Sequence, residues 1–297
     1  MSKKMQGNIM LLITAMIWGS AFVAQSKGME FIGPFTFNVV RNFVGGIVLL
    51  PVVAIFSKDS GLSVEEKKLL DKNTLIGGIC CGVVLFIASS FQQYGLVHTT
   101  AGKAGFITAL YIIIVPLLGM FMGKKVPKIV WGCVALAICG FWLLCIKEGF
   151  TVGLGDFMVL ICALFYSLHI ITIDRFGPKA NCVKMSCIQF WVAGVISIIP
   201  MLMFEEPEIG AIMDAKWTIL YAGVLSSGVA YTLQIIAQKY TEPTVATLLM
   251  SLESVFAALS GWIILHEVMM PKEFIGCILV FIAVILAQIP LPVKVKK

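Results

Sequence analysis

"FNVVRNFVGGIVLLPVVAIF", residues 37–56, carries a single charged residue, Arg41. An α-helix needs about 20 mostly apolar residues to cross the hydrocarbon of a bilayer, and this run supplies them. The rest of the chain has the same character. A soluble domain has about 45–50% apolar and about 25% charged residues. These 297 residues are 59% apolar and 13% charged, with a mean hydropathy of +0.98. No single soluble domain hides that much apolar side chain, so the solvent is lipid and the fold class is an all-α integral membrane protein. Arg41 then needs an explanation, because an arginine at mid-bilayer costs at least about 2.5–3.5 kcal/mol.

Working outward, ten stretches of sufficient length can be drawn, near 7–26, 34–57, 74–97, 101–122, 128–146, 154–173, 183–204, 217–238, 243–265 and 273–292. Turn-forming and charged segments separate them, among them "SKDSGLSVEEKKLLDK", "GKKVPK", "KEGFTVG", "DRFGPKAN", "FEEPEIGAIMDAK" and "HEVMMPKE". The first run is longer than the core of a signal peptide and lacks a small-x-small cleavage site, so it reads as a retained helix. Lysine and arginine collect on the cytoplasmic side of membrane proteins. With the N-terminus inside, sixteen of them, from Lys3 and Lys4 to Lys297, fall inside and five (Lys27, Lys103, Lys147, Lys216, Lys272) outside. Both termini are therefore expected to be cytoplasmic, in a multi-pass protein of the cell membrane.

The chain also repeats itself. "GNIMLLITAMIWGSAF" (7–22) aligns with "GDFMVLICALFYSLHI" (155–170), pairing Asn8 with Asp156 and Trp18 with Tyr166. "GGICCGVVLFIASSFQQY" (77–94) aligns with "GVLSSGVAYTLQIIAQKY" (223–240), pairing Gly82 with Gly228 and Gln92 with Gln238. "PKIVWGCVALAICG" (127–140) aligns with "PKEFIGCILVFIAV" (271–284). The matches are collinear, with offsets between 144 and 148 residues. The expectation is two halves, 1–148 and 149–297, of five helices each. Because five is odd, the second half enters the membrane from the opposite side. Such an inverted repeat is a recurrent architecture of secondary transporters, with the substrate site at the interface of the repeats.

The stretches "AMIWGSAFVAQSKG" and "VVRNFVGGIVLLP" resemble the opening of the EamA type of the drug/metabolite transporter superfamily. "AGKAGFITALYIIIVPLLGMFMGKKVP" is similar to the fourth helix of that family's first half, and "ATLLMSLESVFAALSGWIILHEVMMPKEFIGC" to the matching part of its second. Where the family typically shows Glu-Pro-Val and a later Gly-Glu, this chain has Glu253-Ser254-Val255 and His266-Glu267. The resemblance covers essentially the whole chain. It implies a ten-helix secondary transporter that exports amino acids, metabolites or drugs.

Ionisable groups inside a membrane face the bundle interior and have a partner. Arg41, Lys103 and Glu253 stand out. An arginine can grip a carboxylate with two hydrogen bonds, so one expectation is an Arg41–Glu253 pair across the halves. Arg41 bound to an anionic group of the substrate, or snorkelling to the outer interface, are the others. Arg41 and Glu253 are also the candidates for coupling, with protons as a second partner at Glu253. Lys103 is expected to snorkel. Trp18, Phe106, Tyr111, Tyr166, His169, Gln189 and Gln234 complete the candidate cavity residues, aromatics giving flat apolar contact with a polar edge. Pro116 is expected to interrupt the fourth helix, while Gly78/Gly82 and Gly119/Gly123 should allow close helix contact.

Other function classes lack their motifs. The nine cysteines form no C-x-x-C and have no histidine at metal-ligand spacing, so no metal or cofactor is expected. No basic, aromatic-interleaved stretch suggests nucleic acid. H-E-x-x-H, G-x-S-x-G and the P-loop are missing, which speaks against an enzyme and against ATP as the energy source. The sequence leaves two alternatives beside the exporter: a non-transporting scaffold or receptor of the same fold, or a uniporter or exchanger for nucleosides or purines.

Overall fold

The computed structural model describes residues 2–56, 63–124, 126–145, 153–264 and 270–288, with no strand among them. Helices α1 (Lys3–Gly28), α2 (Pro34–Phe56) and α3 (Val64–His98) are continuous. Two half-helices follow, α4 (Ala101–Thr108) and α5 (Tyr111–Phe121), then α6 (Lys128–Cys145), α7 (Leu154–Phe176) and α8 (Cys182–Phe204). After the short α9 (Ile209–Asp214), one long rod is built from α10 (Lys216–Leu220), a π-helical middle (Tyr221–Tyr231) and α11 (Thr232–Ala237). A second split helix, α12 (Pro243–Met250) and α13 (Glu253–Ile264), precedes α14 (Pro271–Gln288). Eight stretches among the described residues have the length and apolarity to cross a membrane; Lys128–Leu143 and Phe274–Leu286 are shorter apolar helices.

Polar caps set the helix starts. Ser63 and Glu66 form a reciprocal capping box that begins α3 at Val64, ten residues before the expected boundary, and Thr100 and Asn181 accept from the third amide of α4 and α8. Large apolar side chains such as Ile47, Val195, Ile199 and Phe281 lie on the outside, where lipid receives them. Small residues lie between helices. A Cβ on Gly19 would stand 2.7 Å from the Glu253 carbonyl oxygen, so α1 and α13 touch backbone to backbone. Gly78 and Gly82 likewise meet α8, at the Met185 and Gln189 carbonyls.

Three expectations change. Among the described residues, Gly119 and Gly123 meet no close helix contact; Gly123, at φ 79°, closes the turn after α5 instead. The fourth span is interrupted at Ala109–Leu110 rather than at Pro116, with i→i+3 bonds such as Ile112 N to the Ala109 carbonyl carrying the chain through. The register of the second repeated segment also differs. Gly82 packs on the Gln189 carbonyl and Val192, and Gly223 on the Arg41 carbonyl and Val44. Packing therefore pairs Gly82 with Gly223, and the expected partner Gly228 lies more than one helical turn further on. His266 and Glu267 fall outside the described residues, as do Lys147 and the last nine residues of the chain.

Helices α6 and α14 pack chiefly on each other; α1, α3 and α7 pack on the split helices, while α2, α8 and the π-helical rod pack on one another and on α1 and α3. At the two breaks, Ala109–Leu110 and Ser251–Leu252, residues Ala109, Ser251 and Leu252 are buried.

Candidate functional site

A cavity of about 30 Å³ lies at the breaks. That volume has room for about one or two water molecules. Helix α1 offers Trp18, Phe22 and Gln25 to it, α2 Arg41, α3 Gln92, and α7 Tyr166 and Ile170. The π-helical rod adds Ser226, Tyr231 and Gln234, and the split helices add Thr108, Tyr111 and Glu253. Tyr111 and Glu253 are the first residues of α5 and α13, so the breaks themselves place a phenol and a carboxylate at the cavity.

Arg41 is 4% exposed and Glu253 3%. They line one cavity, yet among the described residues no ion pair joins them. Arg41 Nη1 donates to Gln25 Oε1 at 2.7 Å, and Arg41 Nε has no partner. Glu253 Oε1 accepts from the Tyr111 hydroxyl at 2.8 Å. The expected Arg41–Glu253 pair is thus replaced by two neutral partners, Gln25 and Tyr111. Snorkelling of Arg41 is excluded by its burial and its bond to Gln25.

A hydrogen-bonded chain runs along the lining. Tyr231 donates to the Tyr166 hydroxyl at 3.0 Å, Tyr166 to Gln92 Oε1 at 3.1 Å, and Gln92 Nε2 to Thr108 Oγ1 at 3.3 Å. Trp18 leans on Tyr231 with ring centroids 4.6 Å apart. Trp18 and Tyr166 therefore meet the same cavity through Tyr231. Three polar atoms on the lining, Trp18 Nε1, Arg41 Nε and Gln234 Oε1, have no partner within the protein. Buried polar atoms are almost always satisfied, so these two donors and one acceptor are open to water or a ligand in the cavity; Asn38, Gln93 and Gln238 carry similar atoms away from the lining.

Of the residues expected from sequence, Trp18, Arg41, Tyr111, Tyr166, Gln234 and Glu253 are brought together here. Three are placed elsewhere. Phe106 turns toward α6 and packs edge-on to Phe141 at 5.8 Å. His169 and Gln189 bond each other at 3.0 Å behind Tyr231, fully buried and off the lining. Lys103, with its side chain 23% exposed near the start of α4, pairs its ammonium with Asp156 at 2.5 Å. Sequence reasoning did not single out Gln25, Gln92, Thr108, Ser226 and Tyr231. Gln25 could have been found as the polar residue two turns from Trp18, on the same helix face. Among the described residues, no group of three or more His, Cys, Asp or Glu side chains is placed to hold a metal ion.

A family model described as the EamA-like transporter family matches residues 5–146 and again residues 153–288. A protein of Archaeoglobus fulgidus described as an uncharacterized transporter is 30% identical, over 97% of this chain and 87% of its own. The uncharacterized transporter YoaV of Bacillus subtilis is 24% identical over 91% and 92%, and a chloroplastic WAT1-related protein of Arabidopsis thaliana 20% identical over 92% and 67%. A solved structure titled "Crystal structure of protein" superposes with a TM-score of 0.75 over 94% of this chain and 95% of its own, at 17% identity, which is a likeness of fold.

Proposed function

The chain belongs to the EamA-like transporter family, and on that premise we propose that it is a secondary active transporter exporting small organic solutes by alternating access, with the central cavity as the substrate site. The observation that carries this reading is a buried cavity holding a cation, a carboxylate and three unpartnered polar atoms. A solute with an acceptor group for Arg41 Nε and Trp18 Nε1, a donor for Gln234 and Glu253, and a flat apolar part for Trp18 and Tyr231 satisfies all of them. Amino acids and related metabolites or drugs have that chemistry. Arg41 and Glu253 are the coupling candidates, Glu253 being able to exchange a proton for a substrate cation.

Ten spans in two inverted repeats, 1–148 and 149–297, fit the same reading. The family model matching twice supports it. So does recurrent packing: Gly46 lies against Trp191 as Gly194 lies against Phe43, and Gly82 meets α8 as Gly223 meets α2. Helices α6 and α14 supply the ninth and tenth spans. The lysine distribution supports cytoplasmic termini in the cell membrane.

The test begins with thermal shifts of purified protein against amino acids, nucleosides, purines and cationic drugs, followed by reconstitution of the stabilising solute in proteoliposomes. Accumulation against its gradient, driven by an imposed pH or counter-solute gradient, is the expected result. Equilibration alone would make the protein a uniporter or exchanger, and binding without movement a receptor or scaffold.

A further inference from the structure

The rod formed by α10, the π-helical middle and α11 packs as α3 does, and it is one residue longer. Two pairs of contacts fix the comparison. Gly82 of α3 lies on the Gln189 carbonyl and Val192, and Gly223 of the rod on the Arg41 carbonyl and Val44. Gln189 and Val192 each stand 148 positions after Arg41 and Val44, so Gly82 and Gly223 are equivalent. Further along, a Cβ on Gly155 would stand 2.8 Å from the Gly95 carbonyl oxygen and 2.9 Å from His98 Cβ. One on Gly7, again 148 positions earlier, would stand 3.2 Å from the Ala237 carbonyl oxygen and 3.5 Å from Tyr240 Cβ. Gly95 and Ala237 are therefore equivalent too. Gly95 comes thirteen positions after Gly82, whereas Ala237 comes fourteen after Gly223. Helix α3 crosses its interval as unbroken α-helix, and the rod absorbs the extra residue in its π-helical stretch, Tyr221–Tyr231. An i→i+5 turn holds one residue more than an α-turn, and such turns gather at functional sites.

The extra residue lies at the cavity. Ser226, Tyr231 and Gln234 line it, and Tyr231 follows Ser226 by five positions, the spacing of a π-turn. The Tyr231 ring covers Trp18, with centroids 4.6 Å apart. With the ring there, the cavity of about 30 Å³ has room for one or two waters, whereas pockets for small molecules hold about 300–1,000 Å³. The wall has to yield before an organic solute fits. The neighbour of Tyr231, Ala230, is fully buried, and its carbonyl accepts from Thr14 Oγ1 of α1 at 3.1 Å. Suppose the extra residue passes beyond Tyr231 into α11. The chain from Ser226 is then α-helical, and the fourth position after Ser226, Ala230, takes the wall. Tyr231 turns away by about 100°, one residue's rotation of an α-helix. A methyl group stands where a phenol stood, and the face of Trp18 is open. The phenol gives up its bond to Tyr166 at 3.0 Å and its edge contacts with His169 and Phe190 at 5.8 and 5.6 Å. A solute stacked on Trp18 offsets that loss.

We infer that the π-helical stretch is the adjustable wall of the substrate site: moving its extra residue past Tyr231 exchanges Tyr231 for Ala230 at the cavity and makes room on Trp18 for the flat apolar part of an organic solute. The inference rests on the transporter reading and adds the residues that make the room. The solute binds the Ala230 arrangement and not the Tyr231 one, so its binding shifts the population from the second to the first.

The test uses the full chain in proteoliposomes. Thr108→Cys, on the cavity wall but off the rod, is exposed to N-ethylmaleimide, a thiol reagent of organic-solute size that reaches both faces. The modified peptide is quantified by mass spectrometry, so the native cysteines stay in place. This parent should be labelled, because the wall yields from time to time. Deleting Val229, 38% exposed on the outside of the rod, removes the extra residue. Tyr231 then follows Ser226 by four positions and stays on the wall of an ordinary α-helix. Labelling at position 108 should fall at least about tenfold, with the melting temperature kept or raised. Tyr231→Ala added to the deletion should restore labelling. Amide hydrogen exchange on the unaltered chain covers the case in which the deletion folds poorly. Amides 226–236 should exchange at least about tenfold faster than amides 85–94 of α3, because each passage of the extra residue opens their bonds. A folded deletion variant labelled as fast as its parent overturns the inference. So does Tyr231→Ala failing to restore labelling, or equal exchange of the two stretches; each of these leaves the transporter reading standing. A parent that is never labelled would overturn both.

Discussion

Arg41 and Lys103 are both cations carried into the apolar bundle, and the protein treats them in opposite ways. Lys103 ends on a carboxylate that two further donors also hold. Arg41 is more deeply buried, yet it ends on the neutral amide of Gln25 and keeps Nε unbonded, while the nearest functional carboxylate, Glu253, is held by Tyr111. A guanidinium has five N–H donors, and among the described residues this one has a single protein acceptor. A charge that the protein compensates fully holds two elements together. A charge that it compensates only in part keeps capacity for a ligand. Lys103 is the first kind and Arg41 the second.

The largest effect should come from exploiting that difference at Arg41. Arg41→Met removes an under-compensated charge and keeps most of the side-chain volume, so the melting temperature should change little. Loss of a charged contact to substrate is worth about 2–3 kcal/mol, so transport should fall about 30- to 150-fold and ligand-induced stabilisation should vanish. Proteoliposome flux and a thermal-shift titration measure the two arms. A variant that melts much lower yet transports normally would reverse the assignment. Lys103→Met is the mirror case. Breaking a buried pair costs about 3–5 kcal/mol, which the partial exposure of Lys103 and the surviving Thr99 and Gly153 bonds reduce to about 2 kcal/mol. Denaturation in detergent should show that loss, with substrate affinity unchanged.

What the sequence disclosed follows the same logic of cost. Spans are legible because lipid tolerates only long apolar runs, and Arg41 and Glu253 because a charge among such residues cannot be accidental. Gln25 and Gln92 escaped because an amide in an apolar helix is far cheaper and so far less conspicuous. The breaks at Ala109–Leu110 and Ser251–Leu252 carry neither proline nor glycine, so nothing local announces them; the nearby Pro116 pointed to the wrong place. The π-helical stretch Tyr221–Tyr231 has no periodicity that distinguishes it in advance, and it lies in the segment where the expected repeat register fails. His169 was misplaced by rotation alone. Three residues from Tyr166 on α7, it turns to Gln189 on α8, while Ile170, four residues away, reaches the cavity.

Phe106 sharpens the boundary of the cavity. It was expected on the lining and instead packs on Phe141. Phe106→Leu should cost about 1–2 kcal/mol of stability as a core truncation and leave the dissociation constant for substrate unaltered. A weakened ligand with unchanged stability would return Phe106 to the wall.

The smallest effects concern the hydroxyls, and their order tests the charge on Glu253. Tyr166→Phe removes one donor to Gln92 Oε1 and one acceptor for Tyr231. Both partners are neutral, so the loss should be about 1 kcal/mol, roughly fivefold in substrate affinity. Gln92 keeps its bond to Thr108, and cavity water can reach what remains. Tyr111→Phe removes a donor to a carboxylate, and bonds to charged groups are worth about 1.5–3 kcal/mol. It should therefore be the more damaging of the two when both are measured by the same thermal-shift titration at pH 7. If Tyr166→Phe proved the worse, Tyr111 would not be serving an anion, and Glu253 would be resting in its neutral, protonated form. The same comparison repeated at higher pH would then restore the expected order as the carboxyl ionises.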